Sequence, residues 1–263
     1  MSGELLIEAR GAVEIATLNR PERLNALNEG LAHELNAYFG GLADRKHVRV
    51  VILRGAGRGF CAGLDIQEDR SSDETPVLRT LRTQTNIGNI YRKMRACPQP
   101  IIALGHGAAA GGGLSLLLAS DVRYATPDFR CNAAYIRIGL GGCDMASSYF
   151  LPRLVGASLA SEMILTGRFI DAERALRAGL VSEIVGQDEL LDRGLALADE
   201  MLATSPYGLR LSKQALNLNI DAQSLDAAMA IEDRQQVILS VTEDHREALA
   251  AFLEKRAPEY RER

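Results

Sequence analysis

Two short aliphatic runs, each followed at once by a glycine-rich loop, constrain the fold of this chain more than any other feature. The first run, Val48–Leu53, leads into Gly55, and the second, Ile101–Leu104, leads into Gly105. Short apolar runs bounded by glycine are typical of strands that are buried on both faces, with helices packed on either side. The sequence therefore predicts an α/β fold.

The flanking segments predict further elements of such a fold. Residues 4–19 alternate apolar and polar positions around Arg10-Gly11, which indicates a hairpin with a two-residue turn. Asn28 can cap a helix whose apolar positions recur at helical spacing. The polar segment from about 67 to 80 indicates a mobile excursion between a strand and the next helix. From about residue 145 onward, the pattern is almost entirely helical.

Composition and charge exclude several functional classes. The 263 residues are 47% hydrophobic and 24% charged, as in ordinary globular proteins. Lys and Arg number 30 against 34 Asp and Glu, so there is no basic surplus for binding nucleic acid. A membrane-spanning helix needs a run of about 18 apolar residues, and no run in this sequence approaches that length. Acidic residues near the start argue against a signal peptide. We therefore expect a cytoplasmic protein with neither nucleic acid nor membrane as a partner.

The sequence does not match the known cofactor-binding and metal-binding motifs well. The glycines from 105 to 113 match a dinucleotide-binding loop only loosely, because their spacing differs and no acidic residue follows about 20 positions later. The four cysteines lack the paired spacing of a zinc site and indicate reduced thiols. A nicotinamide cofactor is therefore a weak alternative, and no metal site is expected.

The two glycine-rich loops together resemble those of the enoyl-CoA hydratase/isomerase (crotonase) superfamily. The resemblance covers almost the whole chain, in order and at family spacing. Its main segments are Leu18-Asn-Arg-Pro-Glu-Arg-Leu-Asn-Ala-Leu27, Phe60-Cys-Ala-Gly-Leu-Asp-Ile66, Gly111-Gly-Gly-Leu-Ser-Leu-Leu-Leu-Ala-Ser-Asp121 and Ala178-Gly-Leu-Val-Ser-Glu183. It implies a spiral core of ββα turns (ClpP-like) over residues 1–200, which holds the acyl-CoA site, and an all-helical oligomerisation region over residues 201–263. It further implies a homotrimer or a dimer of trimers. The substrate would be a coenzyme A thioester, with no other cofactor.

The same resemblance implies an oxyanion hole made by the backbone N–H groups of Leu64 and Gly112. A thioester carbonyl must come within about 3 Å of two such donors, and only small residues allow that approach. Gly112 also lies at a predicted helix N-terminus, where unpaired N–H groups favour negative charge. Glycines that merely permit tight turns and close packing are the alternative interpretation.

Further residues are carried over to the coenzyme A part of the substrate by resemblance alone. They are Ala62, Asp65 and Ile66 around the adenine, Arg23 facing the phosphates, and Phe252 and Lys255 on a last helix over the nucleotide. In the family that helix often comes from a neighbouring subunit. Lys255 can equally be a solvated cation at a helix end.

The family pattern breaks where hydratases have two glutamates, because Ser115 and Tyr135 occupy those positions. Neither hydroxyl can act as a base at neutral pH, since the usual pKa of tyrosine is about 10 and that of serine is higher. Each lost acid/base group typically costs about 10²–10⁴-fold in rate. The resemblance thus predicts an enzyme that stabilises an enolate-type oxyanion of an acyl-CoA thioester but is not an efficient standard hydratase.

Asp144 is the candidate for a substitute carboxylate. The surrounding segment Ala134–Gly156 resembles the family's chlorobenzoyl-CoA dehalogenases, in which an aspartate nine residues before the arginine matched here by Arg153 is the nucleophile. Those enzymes also need a histidine where Gly88 stands, so dehalogenation is not predicted. Asp144 can instead be a helix cap. The alternatives to enolate chemistry are therefore thioester hydrolysis or other crotonase chemistry through Asp144, and a non-catalytic acyl-CoA binder.

Overall fold

The computed structural model describes residues 3–68 and 74–263 as two sheets surrounded by helices. The strands are β1 Leu5–Arg10, β2 Val13–Leu18, β3 Val50–Gly55, β4 Ile101–Gly105, β5 Ala108–Ala110, β6 Val122–Ala125, β7 Arg130–Asn132, β8 Ile170–Asp171 and β9 Glu183–Ile184. The helices are α1 Glu29–Gly41, α2 Pro76–Ala96, α3 Gly112–Ala119, α4 Ser147–Val155, α5 Ala157–Thr166, α6 Ala172–Arg177, α7 Leu190–Leu202, α8 Pro206–Asn219, α9 Leu225–Ser240 and α10 Glu243–Glu254.

The main sheet has the order β1-β2-β3-β4-β6-β9, and within it only β1 and β2 pair antiparallel. The predicted hairpin is confirmed, with Leu5 opposite Leu18 and Arg10 opposite Val13. Its two-residue turn is Gly11-Ala12 rather than Arg10-Gly11. Gly11 has a φ of +60°, a backbone conformation that glycine adopts without steric cost.

The central strands are buried on both faces, as their aliphatic sequences predict. Val51 and Leu53 of β3 belong to a cluster with α1, α2 and α3, whereas Val50 and Ile52 belong to a second cluster with α7. Successive side chains of a strand point to opposite faces, so one strand contributes to both cores. The sheet thus separates an α7 side from a side that carries α1, α2 and α3.

The two glycine-rich loops leave neighbouring strands. β3 and β4 pair in parallel, with Ile52 opposite Ile102, so both strands end at the same edge of the sheet. A smaller sheet has the order β5-β7-β8, and its first strand, β5, follows β4 directly in the chain. Asn28 caps α1 as predicted, because its side-chain oxygen accepts a hydrogen bond from the Leu31 N–H at 2.9 Å.

Two predictions from the sequence can be compared with the structure in more detail. The region after residue 145 is almost entirely helical, as predicted, but it also contains β8, which pairs with β7, and β9, which extends the main sheet beside β6. Two-residue strands are too short to show an alternating pattern. Of the predicted excursion at 67–80, residues 69–73 lie outside the described part of the chain, and α2 already begins at Pro76.

The chain beyond α7 consists of three helices and a returning tail. The tail folds back along α10, whose buried Asp244 accepts hydrogen bonds from the N–H groups of Arg261 and Glu262 at 2.7 and 3.1 Å. Glu262 in turn pairs with Arg210 of α8 at 3.2 Å. Among the helices of the described ranges, none combines the length and the apolar character needed to cross a membrane.

Candidate active site

The first glycine loop, residues 56–66 after β3, and the second glycine loop, residues 106–111 after β4, lie side by side. Three backbone hydrogen bonds join them, from Phe60 N–H to His106 C=O at 2.9 Å, from Cys61 N–H to Ala108 C=O at 3.1 Å and from Ala110 N–H to Cys61 C=O at 3.0 Å. The two loops therefore form one rigid platform at the edge of the main sheet.

Two glycines allow the loops to approach this closely. Gly63 has a φ of +90°, and a Cβ atom there would lie 2.7 Å from the Ala110 carbonyl oxygen and 3.3 Å from the Gly112 nitrogen. A Cβ atom on Gly113 would lie 2.1 Å from the Cys61 carbonyl oxygen. These distances are too short for a side chain, so both glycines are required for the close packing of the two loops.

Replacing Gly113 with alanine should destabilise the protein by about 1–3 kcal/mol. The added methyl group would collide with backbone rather than with a movable side chain. This clash outweighs the about 1 kcal/mol that alanine gains over glycine in a helix. Denaturant unfolding measures the change. Gly141→Ala is the matched control, because no atom lies within 4 Å of its added Cβ atom. Equal unfolding midpoints for Gly113→Ala and the parent chain would contradict this account.

The platform leaves two neighbouring backbone donors without a partner. The Leu27 N–H donates to the Gly63 carbonyl oxygen at 2.7 Å, and the Asp65 N–H donates to the Leu27 carbonyl oxygen at 3.0 Å. Between these two bonds, the Leu64 N–H has no acceptor among the described residues. Gly112 is the first residue of α3, and its N–H likewise has no acceptor among residues 3–68 and 74–263. The positive end of the helix dipole adds to the attraction of this donor pair for an oxyanion.

Two residues that sequence reasoning left without a role brace the first glycine loop. Arg20 pairs with the buried Asp65 carboxylate at 2.9 Å. Burial opposes ionisation of Asp65, but hydrogen bonds from Arg20 and the Gln67 N–H outweigh it and lower the pKa of the carboxyl group. The buried Asn25 side chain donates hydrogen bonds from Nδ2 to the carbonyl oxygens of Ala56, Gly59 and Phe60, at 2.8–3.1 Å.

Tyr91 of α2 braces the start of α3, and no feature of the sequence marked it. Its buried hydroxyl donates a hydrogen bond to the Gly112 carbonyl oxygen at 3.0 Å. Burial raises the pKa of Tyr91 well above its usual value of 10, with smaller contributions from Tyr135, Cys61 and Asp144. The hydroxyl is therefore a neutral hydrogen-bond donor at physiological pH.

Ser115 and Tyr135, the two residues that stand where glutamates are expected, meet in the structure. Their hydroxyl oxygens lie 3.1 Å apart, and both side chains are buried. Burial raises the pKa of Tyr135 above its usual value of 10; the negative charge of Asp144 adds to that shift, whereas the hydrogen bond from Ser115 opposes it. Both groups thus stay protonated at neutral pH, so this pair cannot remove a proton from a substrate.

Asp144 does not cap α4, so the cap interpretation is wrong. The helix begins at Ser147 behind Ala146, and no side chain caps its first turn. Met145 and Ala146 both adopt positive φ values, 46° and 62°, which place Asp144 outside the helix. The Asp144 carboxylate instead accepts hydrogen bonds from the Met145 N–H at 2.8 Å and from the Gln84 side chain.

A match to the sequence profile of a known family identifies the family of this chain. A sequence profile described as "Enoyl-CoA hydratase/isomerase" matches residues 8–263.

The chain belongs to the enoyl-CoA hydratase/isomerase family.

Similar proteins of the enoyl-CoA hydratase/isomerase family include both hydratases and isomerases. A probable enoyl-CoA hydratase of Mycobacterium bovis is 38% identical over 262 residues, which cover 97% of this chain and 91% of that protein. A 1,2-epoxyphenylacetyl-CoA isomerase of Escherichia coli is 32% identical, covering 97% of each chain. A crystal structure of a probable enoyl-CoA hydratase/isomerase from Mycobacterium abscessus superposes with a TM-score of 0.92 at 36% identity, covering 99% of this chain and 100% of the other. The predicted crotonase fold is confirmed.

Two reactive side chains, Cys61 and His106, lie near the platform. Burial raises the pKa of the Cys61 thiol to about 12, so the thiol stays protonated at neutral pH. His106 lies with its Nε2 3.0 Å from the Gly57 carbonyl oxygen, a contact that orients the first glycine loop. No three potential metal-binding side chains lie together in the part of the chain that the structure describes.

The six residues that the family resemblance assigns to coenzyme A fall into two groups. Ala62, Asp65, Ile66 and Arg23 lie in or beside the first glycine loop, where Arg23 donates a hydrogen bond to the Gln67 side chain. Ile66 is largely exposed, and the Ala62 N–H is already bonded to the Leu24 carbonyl at 2.9 Å. The other two residues lie at the end of α10, where Phe252 is 81% exposed and Lys255 follows the last helical residue.

Proposed function

We propose that this protein binds an acyl-CoA thioester and stabilises an enolate-type oxyanion with the N–H groups of Leu64 and Gly112. The observation that carries the proposal is that the two joined glycine loops leave both of these donors without an acceptor among the described residues. An oxygen bound by two preorganised donors is stabilised most when it is negatively charged. The coenzyme A thioester is the substrate, and the chemistry requires no further cofactor.

The proton chemistry of this proposal depends on Asp144. The hydroxyls of Ser115 and Tyr135 are neutral, so they can orient a substrate by hydrogen bonding but cannot act as bases. Asp144 is close enough to Tyr135 and Tyr91 for its negative charge to raise the pKa of both. Its carboxylate is the acid/base group that we assign to the site, and we propose that the protein is not an efficient standard hydratase.

Thioester hydrolysis is the second candidate function. It is favoured by the position of Asp144, whose carboxylate is held by Gln84 and the Met145 N–H without serving as a helix cap. A carboxylate in this position can activate water against a thioester carbonyl that the oxyanion hole polarises. A protein that binds acyl-CoA without reaction is the third possibility, and turnover separates it from the other two.

Mass spectrometry of a panel of acyl-CoA thioesters incubated with the protein tests these functions. Double-bond migration or α-proton exchange in heavy water supports enolate chemistry, release of free coenzyme A supports hydrolysis, and unchanged thioesters support a silent binder. A crystal structure with an acyl-CoA analogue tests the geometry. A thioester oxygen more than about 3.5 Å from both the Leu64 and the Gly112 nitrogens would contradict the oxyanion hole.

We also propose that residues 201–263 mediate assembly into a homotrimer or a dimer of trimers in the cytoplasm. None of the sixteen residues of α9, all of them described, is buried within the chain. Apolar residues of this helix are nevertheless exposed, as are two at the end of α10: Leu225, Met229, Val237, Ile238, Phe252 and Leu253. Exposed apolar surface on this scale is typical of an interface. Assembly would allow Phe252 and Lys255 of one subunit to cover the nucleotide of another.

Sedimentation and light scattering at micromolar concentration should therefore give the mass of a trimer or hexamer. The double variant Val237→Glu/Ile238→Glu should shift the mass toward the monomer, because burying two unpaired carboxylates at an interface is costly. The pair Glu232→Gln/Asp233→Asn on the same helix is the charge-change control. A monomeric parent chain would remove the basis for a nucleotide site shared between subunits.

A further inference from the structure

A cavity of about 440 Å³ lies between α2 and α4, next to the site. Its α2 wall includes Gln84, Gly88, Tyr91 and Arg92, which recur at helical spacing on one face. These positions extend over about 12 Å at 1.5 Å per residue. The opposite wall is mainly apolar and includes Met145, Tyr149 and Phe150 of α4 and the loop before it.

Two residues of the cavity wall contact the proposed oxyanion hole and Asp144. Tyr91 forms part of its wall and bonds to the Gly112 carbonyl at 3.0 Å. Gln84 forms another part and bonds to Asp144, while Met145 follows Asp144 in the chain. The acyl part of a thioester bound at the oxyanion hole would therefore lie beside this cavity.

The cavity carries one positive charge that no carboxylate neutralises. Within residues 3–68 and 74–263, no acidic group lies within ion-pair distance of Arg92, whose guanidinium donates to the Asn89 side-chain oxygen at 3.0 Å. Arg95, the other arginine in the lining, is paired with Asp121 at 3.3 Å and also bonds to Asn217. Asp144, which bonds to Gln84 of the cavity wall, is engaged by two hydrogen-bond donors.

Gly88 gives Arg92 its position on the cavity wall. Glycine in the middle of a helix costs about 0.5–1 kcal/mol relative to alanine. A Cβ atom at Gly88 would lie 3.3 Å from an Arg92 guanidinium nitrogen, so the guanidinium folds back over the space that the glycine leaves open. The arginine thus lies along the helix and lines the cavity, and it is exposed to solvent.

We propose that this cavity receives the distal end of the acyl group and that Arg92 binds a carboxylate there. The preferred substrates would be thioesters of dicarboxylic acids, whose methylene segment would contact the α4 wall. An arginine guanidinium matches a carboxylate in both charge and geometry. The inference rests on the proposed acyl-CoA function and adds the class of the acyl group.

Calorimetric binding of matched saturated thioesters tests the inference without requiring turnover. Butanedioyl-, hexanedioyl- and octanedioyl-CoA are compared with butanoyl-, hexanoyl- and octanoyl-CoA, so that the coenzyme A contribution is the same within each pair. We expect at least one carboxylated member to bind about tenfold more tightly than its methyl-ended partner, as one charge-assisted hydrogen-bonded pair provides. Arg92→Met should remove the difference by weakening only the carboxylated ligand, and Arg92→Lys should retain part of it.

Arg82→Met is the matched control, because Arg82 lies on the same helix, pairs with Glu74 at 3.3 Å and does not line the cavity. This variant should keep the preference of the parent chain. Equal dissociation constants for all pairs in the parent chain would overturn the carboxylate subsite and leave the acyl-CoA function intact. Failure of every thioester to bind would overturn the acyl-CoA function itself, and the subsite with it.

Discussion

Hydration of crotonyl-CoA by this protein should be slower by at least about 10³-fold than hydration by a family member that carries both glutamates. Ser115 and Tyr135 occupy the two positions, hydrogen-bond to each other at 3.1 Å and stay protonated at neutral pH. They therefore cannot remove a proton from the attacking water. Loss of absorbance of the conjugated thioester measures the rate.

Restoring glutamate at both positions should raise the hydration rate if the oxyanion hole is in place. The double variant Ser115→Glu/Tyr135→Glu tests this, and Ser115→Ala/Tyr135→Phe is its control because it removes the hydroxyl pair without adding a carboxylate. The control should show no gain. A parent rate within tenfold of a two-glutamate hydratase would show that our interpretation of these two residues is wrong.

Asp144→Asn should lower turnover of the true substrate by about 10²–10⁴-fold while leaving stability almost unchanged. Asparagine keeps a side-chain oxygen that can accept from the Met145 N–H and from Gln84, but it cannot act as a base. The substitution thus removes the charge and retains the hydrogen bonds. Steady-state kinetics and thermal unfolding of the same preparation measure the two effects.

A second variant separates the charge of Asp144 from its positioning. Gln84→Met removes one donor but leaves the carboxylate, so it should reduce turnover less than Asp144→Asn does. Full activity in a stable Asp144→Asn variant would refute the assignment of Asp144 as the acid/base group. In that case the oxyanion hole would act without a carboxylate from this position.

The glycine loops were predictable because glycine-rich segments after aliphatic runs are visible in the sequence, although the steric requirement behind them joins distant segments. A side chain at Gly63 or Gly113 would collide with backbone, and no other residue type meets that condition. The strands that deliver the loops were predictable for a similar reason, since aliphatic runs such as Ile101–Leu104 are buried on both faces. Local patterns therefore revealed the platform of the site.

The residues that brace the platform were not predictable, because their roles depend on contacts between distant segments. Tyr91 reads as an ordinary apolar position of α2, yet its hydroxyl reaches Gly112, 21 residues later. Arg20 lies inside a segment that was matched to the family, but its partner Asp65 follows 45 residues later. Neither contact produces a recognisable pattern in the local sequence.

The cap interpretation of Asp144 failed for a different reason. An aspartate after two glycines and before a helical stretch is a frequent cap, and that preference is statistical. Here Met145 and Ala146 take left-handed conformations that neither residue type favours, so the helix starts later than its pattern indicates. Strained residues of this kind often lie at functional sites.

The two cores on opposite faces of the main sheet place the site and α7 on different sides of the molecule. None of the residues assigned to the oxyanion hole, the acyl cavity or coenzyme A belongs to the cluster on the α7 side. We therefore expect repacking at Ile15 or Leu190, which lie outside the strands that lead into the glycine loops, to change thermal stability more than substrate preference.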